Sequence, residues 1–227
     1  MKLLTILVDM DDTIEHLLKA WVEYLNERHG TTVKHEDITD WDLTIAFPAL
    51  TKEQVYAPLA EDELWKRVEP MEKAAEALQR IIAKGHTVKI VTATAYQTVR
   101  SKMENVLFKH FPFFTWKDVI ITQNKQMIKG DILVDDAPHN LENGEYVRVL
   151  MNASHNRRYN ARANGMYRVN NWDEVECIVD IVSLAEEYAS GYGDCWREDP
   201  ASLIETACGI QMSDVHRLLL KTISGGK

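Results

Sequence analysis

Five short apolar runs constrain this chain most: "LLTILV" at 3–8, "TVKIV" at 87–91, "DVIIT" at 118–122, "DILV" at 131–134 and "VRVLM" at 147–151. They are rich in β-branched residues and have few polar interruptions, the pattern of strands buried on both faces. Helical patterns lie between them. Residues 15–29 place Leu17, Leu18, Trp21, Tyr24 and Leu25 at helical spacing and stop at Gly30; residues 73–84 do the same with Ala74, Ala77, Leu78, Ile81 and Ile82, and stop at Gly85. A glycine in that place suits the residue just past a helix end. Buried strands alternating with helices predict an α/β fold, a Rossmann-like and mostly parallel central sheet with helices on both faces.

The polar residue that ends each strand matters as much as the strand. The first ends at Asp9, the second at Thr92, the third at Thr122, and the fourth at Asp135 and Asp136. In open parallel sheets the binding crevice lies outside the carboxyl ends of the strands, so these polar residues are expected to converge. Asp9, Asp11 and Asp12 crowd three carboxylates into four positions, and like charges so close repel unless a cation or a proton comes between them.

A net charge of −9 opposes binding to a nucleic-acid polymer, which depends on Lys and Arg displacing counterions. A bound phosphate must then be met locally by a metal, a lysine or backbone N–H groups. Cys177, Cys195 and Cys208 are odd in number and late in the chain, which fits a reducing compartment rather than a disulfide framework. The opening "MKLLTILVDMDD" meets Asp9 too early for a signal peptide, and no stretch approaches a membrane span. A cytoplasmic protein with no membrane partner is expected.

Between about 30 and 72 no strand pattern appears, and three of the six tryptophans, Trp21, Trp41 and Trp65, precede residue 70. This segment reads as a small helical cap inserted after the first strand. The expected division is a core domain of residues 1–16 and 73–182, a cap at 17–72, and a C-terminal helical extension at 183–227 to which the sequence assigns no role. Trp21 has the spacing of a packing residue. His155, Asn156 and Arg157 follow the fifth strand and could border the crevice, although a strand-end loop of this composition is usually only solvated; Asp131, at the far end of its strand, reads as solvent-facing. Cys195, Cys208 and His216 match no common zinc spacing and lack a fourth ligand.

Asp9-x-Asp11 places two side chains on one side of an extended segment. With Asp135 and Asp136 arriving from another strand end, an oxygen-rich Mg²⁺ site formed by Asp9, Asp11, Asp135 and Asp136 is the economical solution. Either member of the 135/136 pair could be the direct ligand, the other ordering a water or Lys125.

"DMDDT", Thr92 in "KIVTAT", Lys125 in "ITQNKQMIKGD" and "GDILVDD", in that order, resemble the four motifs of the haloacid dehalogenase superfamily of phosphotransferases. From residue 3 to about 180, including "RVEPMEKAAEAL", "VIITQNK" and "NASHNRRYN…NWDEV", the chain is similar to the 5′(3′)-deoxyribonucleotidase family within it. Asp12 departs from that pattern, standing where well-known members have glycine.

The resemblance implies that Asp9 is the nucleophile forming an aspartyl-phosphate. Asp11 is then the acid that protonates the leaving oxygen and the base that activates water, its backbone carbonyl also binding the metal. Lys125 stabilises Asp9 and the phosphoryl oxygens, with Lys129 as its nearest rival in sequence. Thr92, and more weakly Thr94, bind the phosphate. Cap aromatics are natural stacking partners for a nucleobase, Trp41 first and Trp65 second. The expected substrate is a small phosphate ester, most simply a deoxynucleoside monophosphate. A phosphatase or phosphotransferase acting on sugar phosphates and a non-catalytic phosphate-binding module are the rival readings.

Overall fold

The computed structural model describes residues 1–192. The first strand β1 (Thr5–Val8) leads into α1 (Leu17–His29), a stretch of 3-10 turns, and the short helices α2 (Lys52–Tyr56) and α3 (Asp62–Trp65). Then come α4 (Ala74–Ala83), β2 (Thr87–Thr92), α5 (Val99–Lys102), a π-helical turn at Met103–Leu107, α6 (Phe108–His110) and β3 (Val119–Ile121). The chain continues through β4 (Ile132–Asp135), α7 (Pro138–Leu141), β5 (Val147–Met151), β6 (Tyr167–Val169) and α8 (Trp172–Tyr192).

The six strands form one sheet in the order β3-β2-β1-β4-β5-β6, every neighbouring pair parallel. Each of the five apolar runs coincides with a strand to within two residues at either end. The sixth, "YRV", is three residues long with a charge at its centre and offers no apolar run to read. In the register, Leu7 lies beside Lys89 on one flank and Leu133 on the other. The strands carrying Asp9, Thr92 and Asp135 are therefore immediate neighbours, and their polar ends must meet at one edge.

Successive side chains of a strand point to opposite faces. Ile6, Val8, Ile90, Ile132 and Val134 join the larger apolar cluster with α1, α4 and α8, whereas Leu7, Val91, Leu133 and Leu150 join a smaller one with Leu141 of α7, Tyr146 and Met166. Both faces are dry, which explains the missing polar alternation.

The α1 helix buries Leu17, Ala20, Trp21 and Leu25 and ends at Gly30, whose φ of 66° lets its N–H turn back to Asn26 O. Trp21 Nε1 donates to Val55 O at 2.8 Å, tying α2 to α1. Cap residues Trp21, Phe47, Leu64 and Trp65 belong to the same apolar cluster as β1, so the insertion is packed into the core.

The expected boundary at 182/183 falls inside α8. That helix is continuous there, with Val182 and Ala185 buried and Ser183 Oγ donating to Lys2 O at 2.6 Å. The first part of the supposed extension is thus a core helix; the rest, with Cys195, Cys208 and His216, lies outside the described residues. Among the described residues no helix is long and apolar enough to cross a membrane.

Candidate active site

At the end of β1, Asp9 N–H donates to Val134 O at 2.9 Å, and the chain then turns, with Thr13 and Ile14 N–H groups both directed to Met10 O. The turn places Asp12 at φ 49°. Glycine takes that conformation freely and aspartate is among the few other residues that tolerate it. The Asp12 carboxylate also accepts from Leu18 N, both oxygens at 3.2 Å, satisfying a donor in the first turn of α1. A position suited to glycine thus holds an aspartate with a local task.

Lys125 is buried between two carboxylates, its Nζ 2.6 Å from Asp9 Oδ1 and 2.6 Å from Asp135 Oδ2. Burial lowers the pKa of its ammonium, but Asp9 and Asp135 together outweigh that and raise it. The other oxygen of Asp135 accepts from Ala137 N at 2.8 Å and Asn140 Nδ2 at 3.1 Å. Asp136 differs. Its Oδ2 lies 2.8 Å from His155 Nε2, while its buried Oδ1 has no hydrogen-bond partner among the described residues. Carboxylate oxygens of Asp9, Asp135 and Asp136 lie within 4.8 Å of one another, a donor set suited to a hard cation. Burial pushes the Asp9 carboxyl up to about 8 against the pull of Lys125, with Asp135, Asp11 and Asp136 adding to the rise.

Asp11 contacts a second buried lysine, with Lys102 Nζ 2.6 Å from its Oδ2 and 2.7 Å from Thr92 Oγ1. Thr92 accepts that bond and keeps its own hydroxyl proton to donate. Lys102 closes α5 just before the π-helical turn; its Nζ lies 5.6 Å from the Trp65 ring centroid. Glu15 is fully buried beside Asp11 and Asp12, and burial followed by those two charges raises its carboxyl well above the ordinary range.

A cavity of about 240 Å³ opens over this floor, with Asp11, Asp12, Asp136 and His155 on one side and Leu17, Trp21, Trp41, Leu43 and Tyr56 of the cap on the other. Trp41 is 58% exposed and lines the cavity. Trp65 corrects the expectation placed on it: it is buried and its Nε1 donates to Leu59 O at 2.9 Å, so it packs beneath Lys102 and offers no platform to a base. Thr94 bonds to Thr98, Oγ1 to Oγ1 at 2.7 Å, and does not line the cavity.

In the loop after β5, His155 lines the cavity with its side chain 6% exposed, Asn156 is buried with Nδ2 donating to Asp136 O and Met151 O, and Arg157 alone of the three is exposed. Asp131, expected to face solvent, accepts from Thr5 N at 2.7 Å and is half-buried.

Residues 2–185 match the family described as 5′ nucleotidase, deoxy (pyrimidine), cytosolic type C. The chain belongs to this family. It is 34% identical over 172 residues to a 5′(3′)-deoxyribonucleotidase of Bacillus subtilis, covering 75% of this chain and 95% of that one. A 5′(3′)-deoxyribonucleotidase of Clostridium acetobutylicum is 30% identical over 179 residues, covering 78% and 94%. In fold the chain resembles a haloacid dehalogenase-like hydrolase of Streptococcus pneumoniae, with a TM-score of 0.56 at 12% identity over 78% of this chain and 98% of that one. A family hydrolase of Deinococcus radiodurans, solved with bound phosphate and sodium, gives 0.52 at 14% identity over 79% and 96%. The protein is therefore a phosphatase of the nucleotidase family, and its α/β fold is that of haloacid dehalogenase-like hydrolases.

Proposed function

We propose that this enzyme is a Mg²⁺-dependent phosphomonoesterase that hydrolyses deoxyribonucleoside 5′- or 3′-monophosphates through an aspartyl-phosphate on Asp9. One observation carries the reading: Asp9, paired with Lys125 at 2.6 Å, shares a carboxylate cluster with Asp136, which lines a cavity whose cap side is largely apolar and aromatic. Such a wall suits a nucleobase; a sugar phosphate would want hydrogen-bonding groups in its place.

The residues divide the work by what each already contacts. Asp9 Oδ attacks phosphorus, forming the acyl phosphate bond as the ester P–O bond breaks. Asp11 gives its proton to the departing ester oxygen, then takes one from the water that hydrolyses the acyl phosphate. Lys125 and the Thr92 hydroxyl hold phosphoryl oxygens in place. Lys102 fixes Asp11 and Thr92 relative to each other.

Asp136 Oδ1, buried and unpartnered, would be a direct ligand of the ion together with Asp9 and the Asp11 carbonyl, since Asp135 is committed to Lys125, Ala137 and Asn140. Bound there, Mg²⁺ would neutralise charge on the phosphoryl group, which a weak carboxylate nucleophile needs.

Phosphate release from dUMP, dTMP, the matching ribonucleotides and hexose phosphates, each with Mg²⁺ or with EDTA, tests the reading. Deoxynucleotides should be turned over fastest, only with Mg²⁺, and not by Asp9→Asn. Preference for hexose phosphates, or full activity in EDTA, would refute it.

A further inference from the structure

The loop that follows β5 touches both halves of the site. On the core side, Asn156 Nδ2 holds the backbone carbonyl of Asp136 at 2.7 Å and His155 Nε2 lies 2.8 Å from its carboxylate. Arg168 of β6 braces this arrangement by donating to Asn152 Oδ1, Asn156 Oδ1, Asn156 O and Tyr159 O. On the cap side, the His155 ring meets Trp41 edge to face, centroids 4.8 Å apart, and Arg157 reaches Glu36 O at 3.4 Å. Trp41 has a second edge contact, to His139 of α7 at 5.3 Å. The His155 side chain is 6% exposed, so its ring has little room to move independently of either neighbour.

We propose that His155 is a positioning residue that couples cation binding at Asp136 to the placement of Trp41 on the cavity wall. The inference rests on the metal reading above and goes beyond it. With His155 Nε2 2.8 Å from Asp136 Oδ2, the unpartnered Oδ1 is the oxygen left for the cation; a group that orients a metal-binding carboxylate sets affinity as well as geometry. The same ring braces Trp41, so a shift of Asp136 on ion binding is transmitted to the cap through a single side chain. Coupling of this kind is reciprocal: a ligand that seats Trp41 must also tighten the ion.

Two substitutions separate the two contacts of the ring. His155→Gln keeps an N–H donor for Asp136 but has no ring to place against Trp41; His155→Phe keeps the ring and loses the donor. Binding of Mg²⁺ alone to the full chain is measured by titration calorimetry, and indole emission is followed in the same titrations, with Trp41→Phe identifying the Trp41 component. His155→Phe should bind Mg²⁺ about 10- to 100-fold more weakly. His155→Gln should bind near the wild-type value yet lose the Trp41 emission change. Wild-type affinity in His155→Phe, or a wild-type emission change identical to that of Trp41→Phe, overturns the coupling. The second comparison needs no His155 variant, so it decides even if those variants fail to fold. Failure of the wild type to bind Mg²⁺ would overturn the metal reading together with the coupling, whereas normal binding with an unaffected His155→Phe overturns the coupling alone.

Discussion

Replacing Lys125 with methionine removes a buried ammonium from between Asp9 and Asp135, at 2.6 Å from each, and leaves a side chain of similar length in its place. Deleting one partner of a buried ion pair destabilises by about 3–5 kcal/mol, because the other charge is left uncompensated. The lower end applies here, since Asp135 keeps its bonds from Ala137 and Asn140. For a domain of this size about 3 kcal/mol corresponds to a Tm lower by roughly 6–12 °C in EDTA. Mg²⁺ should narrow the gap. With Lys125 gone the ion meets less repulsion and binds the variant more tightly, and a ligand at about 100 times its Kd stabilises by about 2.7 kcal/mol.

The pH dependence stems from Asp9. Its folded pKa, about 8, is already raised above its unfolded value, and removing Lys125 raises it further. Above that pH the variant carries the full deficit; as pH falls through it, Asp9 takes up a proton in both proteins and the deficit shrinks to the part owed to Asp135. Thermal melts in EDTA and in graded Mg²⁺, at pH values on either side of that pKa, read all three effects. Phosphate release should fall about 10²- to 10³-fold, the scale of losing one preorganised charge stabiliser. A melting temperature in EDTA equal to that of the wild type would show that Lys125 is not the buried counter-charge of this site.

Lys102→Met should lower kcat by roughly 10- to 150-fold, as expected for losing a charged hydrogen bond of about 1.5–3 kcal/mol. The loss should be larger for dUMP than for p-nitrophenyl phosphate, whose leaving group needs no proton; equal losses would detach Lys102 from Asp11. Trp41→Ala should raise KM while changing stability by no more than about 0.5 kcal/mol. Trp65→Ala should instead destabilise by about 3–5 kcal/mol, as for a buried aromatic, and reversal of that pattern would return Trp65 to the cavity wall. Mg²⁺ uptake should release protons below about 8, the pKa of Asp9, and affinity should climb as pH rises towards it. Calorimetry in two buffers of different ionisation heat checks this, and a proton count of zero would contradict it.

The strands and their polar ends were legible because one physical cause produces both signals. A strand buried on both faces must be continuously apolar, and its first polar residue then marks the crevice edge. Asp9, Thr92, Asp135 and Asp136 are found this way without regard to distance along the chain. The contacts of Lys102 were not, although a trace exists: Lys102 lies three residues after Val99 and four before Val106, on a stripe whose other members pack in the apolar cluster. A lysine on such a stripe needs a buried acceptor, and Asp11 is that acceptor. His155 carried only its place after the fifth strand, which put it near the crevice; its contact with Asp136 had no trace, because its loop is polar throughout and only the fold brings Asp136 beneath it. The sequence ranks Trp41 ahead of Trp65 as a stacking partner but does not show that Trp65 is buried. Trp41 lies among turns and Trp65 ends the four-residue helix α3, too short a stretch to give a period, and tertiary packing alone separates a 58% exposed ring from one that is 3% exposed.

The charge balance of the site explains why so acidic a cluster is tolerated at the centre of the fold. Six carboxylates, Asp9, Asp11, Asp12, Glu15, Asp135 and Asp136, crowd around two ammonium groups, those of Lys102 and Lys125. Protein hydrogen bonds neutralise none of the excess, and the carboxyls of Asp9, Asp12, Glu15 and Asp136 are raised by burial before any neighbour acts. Such a cluster must hold protons or a cation. Glu15, buried beside Asp11 and Asp12 with its carboxyl raised by burial and by those charges, is suited to hold a proton. Asp9 and Asp136, with ligand atoms converging on one point, are suited to exchange theirs for a metal. Destabilisation that a stronger core interaction could have removed is instead kept in reserve at the strand ends, where binding of a divalent ion and a phosphate ester relieves it.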